Sequence, residues 1–124
     1  MLAPGLLLAQ NASIVLNVDA SDVQRRVIHA RMQMPVKPGP LTLLYPKWIP
    51  GEHMPSGPIT NFVGLKISSG GQTISWKRDS VNMFAFHVDV PAGVSSLDIA
   101  YDFLAPEYGD FSSGGSVIPA NSQC

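Results

Sequence analysis

Short stretches of period-two alternation, punctuated by glycine and proline, run through most of the chain. Ile14, Leu16 and Val18 alternate with Val15, Asn17 and Asp19. Ile28, Ala30, Met32 and Met34 then share one side, with His29, Arg31 and Gln33 on the other. Successive strand residues point to opposite faces, so both segments are predicted strands with one face turned to a core. A helical reading through Val23, Val27, Ala30 and Met34 leaves Met32 on the wrong side, so strand is favoured. Residues 41–45 form a short apolar run behind the turn signal Pro38-Gly39-Pro40. Residues 59–67 read as another strand, in which Gly64 marks a bulge or a close backbone approach. Ser68-Ser69-Gly70-Gly71 turns that strand into a hairpin with residues 73–78. Phe84, Phe86 and Val88 alternate with Ala85, His87 and Asp89, and the odd positions from Leu97 to Phe103 are all apolar. The series predicts an all-β domain, an antiparallel β-sandwich or a saddle-like sheet.

A length of 124 residues fits one domain with one core. Charged residues make up only 14%, against about 25% in ordinary globular proteins. With 45% hydrophobic residues the chain is not disordered as a whole, and a net charge of −1 excludes the basic face that nucleic acid demands. An under-charged surface on a folded domain points to one covered by a partner. The charges are also uneven: all eight bases lie within residues 1–78, and residues 79–124 carry six acids. Asp98 and Asp102 fall on the polar side of the last strand, where they read as a solvated edge that discourages sheet-to-sheet pairing.

The ends differ from the middle. Residues 1–12 open with an apolar run too short to span a membrane and read as a signal-peptide remnant or a disordered leader. Residues 107–124 have the Ser/Gly-rich composition of a linker-like tail, which leaves 13–106 as the folding unit. Cys124 is the single thiol, so no disulfide and no cysteine-based zinc site can form within the chain.

No sequence motif marks catalysis: H-E-x-x-H, G-x-S-x-G, C-x-x-C and a Gly-rich phosphate loop are all missing. His29, His53 and His87 lie in different elements, and alternation puts His29 and His87 on polar strand faces, where structural roles are expected. The densest feature is the loop from Tyr45 to Pro58, with four prolines and two glycines around Trp48, Glu52 and His53. A tryptophan there either plugs the end of the core or presents a flat surface to a ligand or a neighbouring domain; composition alone favours the plug.

Within this loop, Pro46-x-Trp48-x-Pro50-Gly51 resembles the P-x-W-x-P-G-x-Y segment in the N-terminal domain of glycyl aminopeptidase-type metallopeptidases. The order of the flanking strands agrees over about residues 13–106, from Ile28-His29-Ala30-Arg31 through Trp76 to Leu97-Asp98-Ile99. The resemblance implies a non-catalytic β-domain that precedes a thermolysin-like zinc catalytic domain and walls its substrate cleft, in a secreted or periplasmic enzyme. Zinc ligands and the general-base glutamate would belong to that catalytic domain; no catalytic, cofactor or metal residue is expected in this chain. The expected interface or cleft loop is Pro46, Trp48, Pro50, Gly51, Glu52 and His53, with Glu52 a candidate ligand for a substrate amine. Two departures stand out: His53 occupies the usual tyrosine position, and residues 54–58 are unusually rich in proline and glycine. The expected partner is the catalytic domain in cis, with self-association through the exposed interface as a substitute. Two alternatives remain open: a free-standing sugar- or peptide-binding sandwich using the Trp48 loop, and a truncated fragment without independent function.

Overall fold

The computed structural model describes residues 13–51 and 53–105. The leader expected at 1–12 and the tail expected at 107–124 lie outside the described residues. The strands are β1 (Val15–Asp19), β2 (Val27–Pro35), β3 (Gly39–Leu44), β4 (Phe62–Ser69), β5 (Gln72–Ile74), β6 (Trp76–Arg78), β7 (Ala85–Val90) and β8 (Ser96–Leu104). They form two antiparallel sheets, one ordered β1-β2-β8-β4-β5 and the other β3-β7-β6. The expected sandwich is therefore what the chain builds.

The alternation sets the faces. Leu97, Ile99, Tyr101 and Phe103 of β8 and Met32 and Met34 of β2 turn toward the small sheet, which answers with Leu41, Leu43, Phe86 and Val88. Ile67, Ile74, Val88, Val90, Leu97 and Ile99 form the buried centre, with Leu97 at 0% exposure. No polar residue is buried among those described, so this core is held by apolar burial alone.

Two expectations change in detail. Residues 59–61 begin as a 3₁₀ turn rather than a strand, since Pro58 caps the segment and Asn61 N–H donates to its carbonyl at 3.0 Å. The last strand is not an edge. β8 lies in the middle of the large sheet, paired with β2 over nine positions and with β4 on its other side. Asp98 and Asp102 do face outward, but they serve cross-strand bonds: Gln33 donates to Asp98 at 3.3 Å, and Asp102 binds His29. Period two reveals the face of a strand and is silent about its place in the sheet.

The bulge and the hairpin turn appear as expected, but the strand expected over 73–78 is divided, with only β5 pairing with β4. Gly70 and Gly71 both have positive φ, at 56° and 79°, the pair that a tight hairpin turn demands. Gly64 has φ +67° at the register shift between Val63 and Lys66, which is the bulge in β4. After β5 the chain steps at Ser75 from the large sheet into β6 of the small one, and Trp76 Nε1–H ties the corner by donating to the Leu65 carbonyl at 3.1 Å. This crossover closes one side of the sandwich. On the other side β2 passes into β3 through residues 36–38, and β1 lies outside that connection at the edge of the large sheet.

Candidate functional site

The loop that leaves β3 is closed at its neck. Tyr45 N–H donates to the Phe84 carbonyl at 2.8 Å, extending the β3–β7 ladder by one residue before Pro46 removes the next donor. Across the neck, Gly57 N–H donates to the Lys47 carbonyl at 2.9 Å. The two segments run so close that a Cβ on Gly57 would stand 2.1 Å from the Pro46 carbonyl oxygen and 2.7 Å from the Lys47 Cα. Only glycine fits there. At the tip, Gly51 adopts φ +91° with nothing within 4 Å of a built Cβ, so its requirement is conformational rather than spatial. The Lys47 ammonium lies 5.8 Å from the Phe84 ring centre, a cation–π contact at the loop base.

The expectation that Trp48 plugs the core is corrected: Trp48 is 60% exposed. Ile49 and Pro58 line the inner side of the loop instead, because the alternation along 45–49 leaves Tyr45, Lys47 and Ile49 half-buried and Pro46 and Trp48 exposed, Pro46 still bordering the cleft. Pro50, Gly51 and His53 are exposed with Trp48, and Glu52 lies outside the described residues.

Beneath the loop, between the sheets, is a cleft of about 590 Å³. Its walls include Met32, Met34, Leu43, Tyr45, Phe62 and Tyr101. Phe62 sits at the centre of an aromatic group, 5.3 Å from Tyr45, 4.8 Å from Tyr101 and 5.5 Å from Phe86 between ring centres. Burial, and secondarily the neighbouring Tyr101, pushes the Tyr45 hydroxyl above its ordinary pKa. Among the described residues these walls carry no carboxylate, imidazole or ammonium, so what they offer is enclosure of an apolar group rather than an acid–base pair.

The cleft is open because five strands face three. β1 pairs with β2 so that Leu16 lies beside Met32 and Val18 beside Ala30, on the inward face of the large sheet. Opposed by the small sheet they would be buried; beyond its reach they are 50% and 59% exposed. Leu44, at the end of β3, and the outward-turned Trp48 are exposed as well. Leu16 adjoins the cleft through its β2 neighbour Met32, which lines it. The sequence displayed the alternation of Ile14, Leu16 and Val18 but gave no sign that this strand lacks a cover. Gly57, too, was visible only as one loop glycine among several.

The remaining polar groups lie on the outer faces. His87 Nε2 is 2.7 Å from Asp79 Oδ2 and its Nδ1 is 3.1 Å from Thr42 Oγ1, on the small sheet. His29 lies on the outer face of the large sheet, between Asp22 and Asp102. Among the described residues no group of three or more His, Cys, Asp or Glu side chains is arranged to hold a metal ion.

The Peptidase M61 N-terminal domain family matches residues 15–121 of the chain. Among solved structures, the fold is similar to that of an aminopeptidase N family protein from Idiomarina loihiensis, with a TM-score of 0.65 and 15% sequence identity. That likeness covers 77% of this chain and 16% of the other, and at such identity it shows the fold alone. No curated protein matches.

Proposed function

Because the chain belongs to the family of Peptidase M61 N-terminal domains, we propose that it is the non-catalytic β-domain of a secreted or periplasmic zinc aminopeptidase, packing on the catalytic domain and walling one side of its substrate cleft. The observation that carries this reading is the edge of the large sheet, where Leu16 and Val18 occupy core-facing positions that the described strands of the small sheet leave exposed. Inward-facing apolar residues at half exposure are an interface waiting for a partner, and a catalytic domain in cis supplies one without the entropic cost of bringing two chains together. Zinc and the hydrolytic groups belong, on this reading, to that domain. The loop of Pro46, Trp48, Pro50, Gly51, Glu52 and His53, pinned at its neck by the Gly57–Lys47 bond, is on this reading the cleft or interface loop, and the role proposed for Glu52 is to meet a substrate amine. Among the described residues no helix is long and apolar enough to cross a membrane. In the isolated chain the same face supports self-association.

The full-length enzyme tests the reading. Leu16→Asp with Val18→Asp should uncouple the unfolding of the two domains and lower kcat/KM on substrates with small N-terminal residues. A single unchanged unfolding transition with unchanged kcat/KM would overturn the docking. Glu52→Gln should raise KM; identical kinetic constants would dispose of the amine-binding role alone. The 124-residue chain by itself should show neither aminopeptidase activity nor stoichiometric zinc, and high-affinity zinc would contradict the assignment.

The aromatic lining of the cleft favours a second reading, a free-standing sugar- or peptide-binding module. Trp48 is not among the described lining residues, which counts against a version in which the loop tip grips the ligand.

A further inference from the structure

The outer face of the large sheet, remote from the cleft walls, carries a second organised group. We propose that His29, held between Asp22 and Asp102, is a proton-dependent latch fastening the β1–β2 connection to the central strand β8. His29 stands in β2, opposite Asp19 of β1 on one side and Asp102 of β8 on the other. Its Nδ1 lies 2.6 Å from Asp102 Oδ1, and its Nε2 lies 3.3 Å from Asp22 Oδ2. Carboxylate oxygens only accept, so both contacts are hydrogen bonds only when both ring nitrogens carry protons. A neutral ring satisfies one carboxylate and turns a lone pair toward the other.

The surroundings are built around the ring. Asp19 lies on β1, Arg31 on β2 and Lys66 on β4, all lining the same depression, and Arg25 reaches the other Asp22 oxygen at 3.7 Å. Gly64, at the β4 bulge, flanks the far side of Asp102, where an added Cβ would stand in ordinary contact, 3.6 Å from Asp102 Oδ2. The bond to Asp102, then that to Asp22, raises the His29 pKa above the ordinary 6.5.

With a raised folded-state pKa, the contribution is complete below the unfolded value and is lost as pH rises through the folded one. The longer contact to Asp22 yields first, because the remaining proton stays on Nδ1 at 2.6 Å from Asp102. β2 remains fixed to β8, where the Ala105 N–H donates to the Arg26 carbonyl at 2.8 Å. What loosens is the turn and, with it, β1, whose described sheet partner is β2 alone. Any consequence for docking through Leu16 and Val18 rests on the proposed function; the latch itself does not.

Nuclear magnetic resonance of the full 124-residue chain tests it, by titrating the histidine rings and following exchange of the β1 and β2 amides that pair those strands, corrected for intrinsic rates. His29 should titrate above 6.5, and Asp22→Asn or Asp102→Asn should each bring it down. Across the His29 midpoint, exchange in the β1–β2 ladder should quicken about two- to fivefold, the scale of one exposed ion pair. His29→Gln should remove that step; should it fail to fold, Asp22→Asn, in the exposed turn, must remove it instead. A midpoint at or below 6.5, a midpoint unmoved by Asp22→Asn, or a step that survives His29→Gln would each overturn the latch. None of these readouts involves a catalytic domain, so failure here is distinct from failure of the docking proposal.

Discussion

Replacing Gly57 by alanine probes the neck on which the candidate loop depends. The added methyl would overlap backbone on two atoms, at 2.1 Å from the Pro46 carbonyl oxygen and 2.7 Å from the Lys47 Cα. Neither is the end of a flexible side chain, so the two segments must part by about an ångström, given that unbonded carbon atoms settle near 3.5 Å or more apart. Parting them breaks the 2.9 Å bond from Gly57 N–H to the Lys47 carbonyl. Overpacking costs about 1–3 kcal/mol and a lost hydrogen bond about 0.5–1.5, so roughly 2–4 kcal/mol is expected. For a domain of this size that lowers Tm by about 10–25 °C. Gly51→Ala is the control: its φ of +91° is strained for alanine, but nothing lies within 4 Å, so about 1–2 kcal/mol is expected. Thermal unfolding followed by circular dichroism, with urea unfolding as a check on the m-value, measures both. If Gly57→Ala melts within a few degrees of the parent, or no lower than Gly51→Ala, the neck is not the tight crossing described and the rigidity assigned to the loop falls with it.

Two further outcomes follow from the same geometry. Trp48→Ala removes a largely exposed ring, so stability should stay within about 0.5 kcal/mol while tryptophan emission loses its most solvent-exposed component; a larger loss in urea unfolding would mean the ring packs on the fold after all. Asp79 accepts backbone N–H bonds from Asn82 and Val81 and lies 2.7 Å from His87, which together hold its carboxyl well below the ordinary 3.8. A depressed folded-state pKa contributes stability above the unfolded value that is lost as pH falls through the folded one, so Asp79→Asn should flatten the acid limb of the stability–pH curve below about 4. An acid limb unchanged by the substitution would contradict that arrangement.

Much of the fold was legible because strand periodicity is a local signal. Leu97, Ile99, Tyr101 and Phe103 announce an inward face whichever strands lie beside them, and Gly70-Gly71 announces a turn through its own φ angles. Where a strand sits in its sheet is not local. Asp98 and Asp102 read equally well on an edge or in the middle, and only pairing with both β2 and β4 places β8 at the centre. The motif around Trp48 was legible as a resemblance, yet the direction of its ring was not, because nothing local shows that the alternation of β3 continues through Pro46 as far as Ile49.

The under-charged surface shows the same division. By itself the sequence determined the class of fold, the faces of its strands, the lack of catalytic motifs and a surface short of charge, all properties of composition and near-neighbour spacing. Tertiary structure decided where that surface matters. β1 pairs on one edge and extends past a three-stranded partner sheet, so Leu16 and Val18 share the parity of core residues without the burial. Parity is set along the chain, but cover is set by which strands cross above it. That depends on contacts between residues far apart in sequence, and alternation does not encode them.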